Sequence, residues 1–198
     1  MEPGVYLISP REQPFLDQVP ELLEVGFEYF QYRRPALTDR ERWQELNHLV
    51  PLLEDASPDL IINNRPDFAL AAEADGVHLG QSDLPAAPVK RNWPTITVGR
   101  THRADEDLIE EADYYGVGPV FSPFSKTVDV EPCGWGGIRK VLGRTEKDVF
   151  AIGGLNQSRL EDVPAGLAGI CVIGAVWDDA SPVEALRGLR ESLNETCV

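Results

Sequence analysis

The sequence of 198 residues predicts an α/β fold, a single-domain (β/α)8 TIM barrel spanning residues 1–198. Three observations predict it. Short apolar runs alternate with stretches of helical period from one end to the other, about eight of each. Polar and glycine residues collect at the C-terminal end of nearly every apolar run. No linker, composition break or low-complexity segment divides the chain. An open doubly wound sheet alternates in the same way, and the strand count favours the closed barrel.

Residues 5–8 form a compact apolar run stopped by Ser9 and Pro10. Residues 15–25 place Phe15, Leu16, Val19, Leu22, Leu23 and Val25 near helical spacing, with Gly26 ending the helix. Residues 29–33 read as the second strand. Thr38 and Glu41 have capping-box spacing, opening a helix through Trp43, Leu46, Leu49 and Leu53. Strands at 59–62 and 76–79 flank a short helix at 68–74. A strand at 95–98 precedes a polar helix at 103–111, and a strand follows at 114–117. Residues 118–134 are too long and too rich in Pro, Gly and Ser for a plain connector, so they form a candidate functional loop. A helix at 138–142, a strand at 149–152, a short helix at 157–162, a strand at 169–173 and a helix at 182–193 complete the series.

Asp plus Glu number 33 against 18 Lys plus Arg, a formal charge of −15. Such a chain repels phosphate backbones, which argues against nucleic-acid binding. No apolar run approaches the ~18 residues of a membrane span, and the first residues carry no basic signal region. Cys133, Cys171 and Cys197 are odd in number and far apart, which argues against a disulfide framework or a zinc site. A reducing cytoplasm is the expected setting.

In a barrel the chemistry lies at the C-terminal strand ends. Gly153, Gly154 and Gly174 follow the seventh and eighth strands, where barrels bind phosphate on backbone N–H groups. Plain turns would use the same glycines. Arg33 and Lys126 stand out as anion ligands in so acidic a chain, though a surface salt bridge would use either residue as well. Asp83 and Asn64 offer hard oxygen ligands for Mg²⁺, though both residue types also cap helices. His102, just past a strand end, is placed for general acid or base work. His78 reads as a barrel-interior residue and His48 as a surface or packing one. Trp43, Trp93, Trp135 and Trp177 read as packing, with Trp135 near the long loop where a substrate pocket would lie.

Taken together, these stretches resemble the family of thiamine phosphate synthase and the TenI-like thiazole tautomerases. The resemblance rests on residues 31–33 (QYR), 62–67 (INNRPD), 74–83 (ADGVHLGQSD), 112–121 (ADYYGVGPVF), 125–126 (SK), 151–154 (AIGG) and 168–174 (AGICVIG), in the family's order. It implies thiamine biosynthesis, small phosphorylated pyrimidine and thiazole substrates, a Mg²⁺ cofactor and a homodimer. Carried over by motif, Gln31, Arg33 and Lys126 hold a diphosphate, with Ser122 and Ser125 beside it. Asn63 contacts the pyrimidine or the diphosphate, Asp83 and Asn64 hold the metal, and Gly153, Gly154 and Gly174 hold the thiazole phosphate. Four positions depart from the synthase pattern. Asn64 stands for an aspartate, Pro35 for a basic residue and Pro123 for a threonine. The segment after the fifth strand is shortened to Arg100, Thr101 and His102, where Arg100 or Thr101 replaces a serine. The tautomerase alternative needs no metal and uses His102 as its acid–base. A non-catalytic phosphate-binding member is the third alternative.

Overall fold

The computed structural model describes residues 3–54, 56, 58–108, 111–122 and 131–196. Eight parallel strands close into a barrel in sequence order: β1 (Gly4–Ile8), β2 (Tyr29–Tyr32), β3 (Asp59–Asn63), β4 (Gly76–Leu79), β5 (Thr97–His102), β6 (Tyr114–Val117), β7 (Asp148–Ile152) and β8 (Gly169–Val172). The ring closes where Val5 pairs with Ile170 and Leu7 with Val172. Around it run α1 (Val19–Val25), α2 (Asp39–Glu54), α3 (Pro66–Ala71), α4 (Ala86–Asn92), α5 (Gly134–Leu142), α6 (Gly174–Trp177) and α7 (Pro182–Thr196). No helix among the described residues is long and apolar enough to cross a membrane.

The capping box opens α2 as its spacing predicts. Glu41 accepts from the Thr38 N–H at 2.8 Å, and the Thr38 hydroxyl accepts from the Glu41 N–H at 3.3 Å. Two helices depart from expectation. Residues 86–92 form α4, burying Ala86 and Val89; Pro85, Pro88 and Pro94 around it disguise the pattern in sequence. Residues 103–108 form turns instead of the polar helix. Glu106 accepts from the Arg103 N–H at 3.1 Å and from the Gln81 amide at 2.7 Å, so it is committed to a local turn and a neighbouring loop.

The fifth strand is also corrected. It runs on to His102 instead of stopping at residue 98, so residues 99–102 are strand and not loop. Strand side chains alternate between the two faces, so this boundary decides which of these residues face the barrel axis. Val98, Arg100 and His102 share the outward parity, while Gly99 and Thr101 point inward.

Two apolar clusters result. Outward-facing strand residues such as Val5, Leu7, Phe30, Val77, Val98 and Val149 pack beneath the helices. Tyr6, Ile8, Ile61, Tyr114, Phe150 and Cys171 fill the barrel. Phe150 is the hub of the interior, with ring centroids of Tyr6, Tyr29 and Tyr114 at 5.3, 5.1 and 5.3 Å, all near edge-on. Side chains this large fit an eight-stranded barrel only if facing positions are small. Gly99 supplies that room, since a Cβ there would lie 2.0 Å from Tyr114 Cζ. Gly99→Ala is expected to destabilise the fold by about 3 kcal/mol, the upper end of overpacking costs. Chemical unfolding followed by fluorescence measures this, and an unchanged midpoint would refute the fit.

Candidate functional site

The C-terminal ends of the strands open into two cavities. The larger, about 730 Å³, lies over β1, β2, β7 and β8 and is lined by Arg11, Glu12, Arg33, Gly153, Gly154, Gly174, Asp178 and Asp179 among others. The smaller, about 230 Å³, lies over β2 and β3 and includes Asn63 and Asn64. The structure therefore brings Arg33 and the three glycines to one cavity and the two asparagines to the next.

Gly153 and Gly154 are required by the backbone itself. Their φ angles are +101° and +64°, a region L side chains rarely adopt. A Cβ would meet Pro119 at 2.8 Å from Gly153 and the Phe121 carbonyl at 2.6 Å from Gly154. The segment after β6 runs alongside, with Val120 N–H donating to the Ile152 carbonyl at 2.9 Å and Phe121 N–H to the Gly153 carbonyl at 3.0 Å. The glycines thus serve loop packing, and they line the larger cavity. Further along it the Ser122 carbonyl accepts from Arg159 at 3.2 Å. Gly174 opens α6 immediately after β8, with Asp178 Oδ2 2.4 Å from the position of its absent Cβ.

The adjacent arginines divide their work. Arg34 is 7 % exposed; it pairs with Glu45 at 3.0 Å and donates to the Pro10 and Gln13 carbonyls at 3.0 and 2.9 Å. It ties the loop after β1 to α2. Arg33 forms no ion pair among the described residues. Burial, and then the nearby Arg11 charge, disfavour its protonated form. Both guanidiniums line the larger cavity. Arg11 was readable from the same rule as the others, since it follows the first strand.

His102 is not in the mouth. Its parity turns it toward the helical layer, where it is 1 % exposed and packs on the Tyr115 ring at 5.4 Å. Its Nε2 has no hydrogen-bond partner among the described residues. This corrects the expectation that His102 meets a ligand: the extension of β5 through residues 99–102 gives it the outward parity. Arg100 shares that side and donates to the Leu84 and Gln81 carbonyls at 3.2 and 3.3 Å. Thr101 faces inward instead, and so does His78, as its strand position predicts. Trp135 is buried against Phe121 and donates to the Arg159 carbonyl at 3.2 Å, so it packs without lining either cavity.

Gln31 is buried and donates to the Tyr6 hydroxyl at 3.0 Å. Asp83 uses Oδ2 to accept from the Gly80 N–H at 2.7 Å, which leaves Oδ1 for another partner. Asn64 holds a left-handed backbone, φ +65°, and its side-chain amide has no hydrogen bond among the described residues. A carboxylate oxygen and an amide oxygen are both hard donors of the kind Mg²⁺ takes, an ion that uses few protein groups and completes its shell with water and phosphate. No cluster of three or more His, Cys, Asp or Glu side chains able to hold a metal occurs among the described residues. Ser125 and Lys126 lie outside the described residues.

Burial pushes His78 down to about 4, and the Arg100 and Arg33 charges act in the same direction. Burial lowers His102 too, against the pull of the Glu106 carboxylate. Both rings are neutral in the fold at pH 7. The unfolded chain, titrating near ~6.5, takes up protons first as pH falls. Their contribution to stability is therefore complete above that value and is lost on acidification. His102→Leu is expected to flatten the fall in Tm between pH 7 and 5 relative to the parent. Parallel slopes in thermal melts would refute this.

The model of the thiamine monophosphate synthase family matches residues 5–176. A thiamine-phosphate synthase of Chlorobium luteolum is 37% identical over 98% of this chain and 94% of its own length. One from Chloroflexus aurantiacus is 37% identical over 86% of this chain and 82% of its own. A solved thiamine phosphate pyrophosphorylase from Pyrococcus furiosus superposes with a TM-score of 0.89 at 32% identity, covering 100% of this chain and 98% of that one.

Proposed function

The chain belongs to the thiamine monophosphate synthase family, and on that premise we propose that it is a transferase of thiamine biosynthesis. It joins a hydroxymethylpyrimidine diphosphate to a hydroxyethylthiazole phosphate. The bond from the pyrimidine methylene carbon to the diphosphate oxygen breaks, and its electron pair leaves with the diphosphate. The lone pair of the thiazole nitrogen forms the new carbon–nitrogen bond. No proton moves at the reacting atoms, so the chemistry asks for stabilisation of a departing anion and not for a general base.

Roles follow from position for the described residues, and from the resemblance for Lys126 and Ser125. Arg33 binds the departing diphosphate, aided by Arg11 across the same cavity and by Lys126 and Ser125 on the segment after β6, with Ser122 beside them. The backbone around Gly153, Gly154 and Gly174 receives the thiazole phosphate. Asn63 faces the pyrimidine half. Asp83 Oδ1 and Asn64 Oδ1 are the donors this chain offers to Mg²⁺. When bound, the ion supplies positive charge against the diphosphate oxygens.

The orientation of His102 carries the choice between reactions. A tautomerase needs an acid–base at the ring that changes, and His102 is turned out of the barrel. The anion-binding features remain in the mouth, which is what synthase chemistry requires.

Purified protein given both substrates and Mg²⁺ is expected to form thiamine phosphate and diphosphate, detected by chromatography, and to stop on addition of a chelator. Arg33→Ala is expected to lower kcat/KM by about ten- to a hundredfold, the worth of one charged hydrogen-bonding partner. His102→Leu is expected to retain turnover. Absence of product from the parent protein, or a dead His102→Leu that is still folded, would overturn the proposal.

A further inference from the structure

Five side chains join hands across the inside of the barrel. Gln31 on β2 donates from Nε2 to the Tyr6 hydroxyl on β1 at 3.0 Å. Tyr6 Oη lies 2.8 Å from Tyr114 Oη on β6. Tyr114 Oη lies 3.2 Å from His78 Nδ1 on β4. His78 Nε2 lies 3.0 Å from Thr101 Oγ1 on β5. Gln31 and Thr101, at its ends, are the penultimate residues of β2 and β5, while Tyr6 and Tyr114 in its middle lie among the interior rings.

Donor counting gives the chain a direction. The Gln31 amide nitrogen can only donate, so Tyr6 accepts there. Tyr6 is 1 % exposed, and among the described residues the one acceptor left for its own hydrogen is Tyr114 Oη. Tyr114 in turn donates to His78 Nδ1, which must then be unprotonated. The proton of the neutral ring sits on Nε2 and goes to Thr101 Oγ1. Running the chain the other way strands the Tyr6 hydrogen in the interior with no acceptor, at the full desolvation cost of that group. Two groups are left over at the ends, the Gln31 amide oxygen and the Thr101 hydroxyl hydrogen.

We propose that Tyr6, Tyr114 and His78 are positioning residues, a one-directional hydrogen-bond chain that fixes Gln31 as an acceptor and Thr101 as a donor toward the ligand. The three act through the two residues at the ends and touch no ligand themselves. Buried chains of this kind specify one arrangement because every member is satisfied in only that arrangement. The role in catalysis rests on the synthase reading above; the direction of the chain does not.

The test has two arms. In ¹⁵N-labelled protein without ligand, with His78→Gln used for assignment, His78 is expected to show a protonated Nε2 and an unprotonated Nδ1. Tyr114→Phe, which keeps the ring but removes the middle hydroxyl, is expected to shift the Nδ1 resonance. A proton on Nδ1 would mean the chain runs the other way with the Gln31 amide turned over, and would overturn the proposal.

In steady-state assays, Tyr114→Phe is expected to raise KM for the pyrimidine diphosphate about tenfold, the effect of about one hydrogen bond. KM for the thiazole phosphate should stay within about twofold, because the glycine loops lie outside the chain. His78→Gln keeps one donor and one acceptor and is expected to restore most of the kcat/KM that His78→Leu loses. Equal rises in both KM values, or equal behaviour of the Gln and Leu variants, would reduce the chain to packing and overturn the positioning role. A parent protein without turnover would refute the synthase reading alone, and the nitrogen resonances would still decide the chain.

Discussion

Closure of eight short strands into one ring decides which way every functional side chain points. In a closed parallel barrel no strand can slip by one residue without turning its apolar set from one side to the other. The pairings of Leu7 with Phe30, Ile62 with Val77 and Val117 with Ala151 lock the outward parity around the ring. Everything at the mouth inherits that parity. Gln31, His78 and Thr101 face the axis, while Arg100 and His102 go to the helices. The interior aromatic set depends on it too, because Tyr114 occupies the room that Gly99 leaves on the neighbouring strand.

Much of this was legible in the sequence, and the failures have physical causes. The strands were legible as compact apolar runs, and the start of α2 as a side chain and a carboxylate three residues apart. The end of β5 was not, because Gly99, Arg100 and Thr101 carry none of the apolar character that marks a strand. Their hydrogen bonding to β4 and β6 makes them strand all the same. That single boundary misplaced His102 and hid Thr101. α4 was hidden by its prolines. The glycines after β7 and β8 were legible as a group, but the packing role of the first two needed the φ angles and the neighbouring carbonyls. Arg33 and Arg34 look alike in sequence; only the carbonyls and the carboxylate around Arg34 separate the structural one from the one left for an anion.

The net charge of −15 sets a second constraint. At long range the field of the protein opposes anionic substrates, so attraction has to be local and sheltered. Glu12, Asp178 and Asp179 at the same cavity as Arg11 and Arg33 sharpen that requirement. Backbone N–H groups meet it without adding charge.

The shared hydrogen bonds between the segment after β6 and the turn after β7 have a consequence for descent. Val120 and Phe121 donate across to Ile152 and Gly153, and the two glycines leave no space between the layers. A substitution on either side displaces the other, so neither can drift alone. Lineages of this barrel would therefore exchange the two segments as a single inherited block, with sequence change at 119–121 tracking change at 152–154.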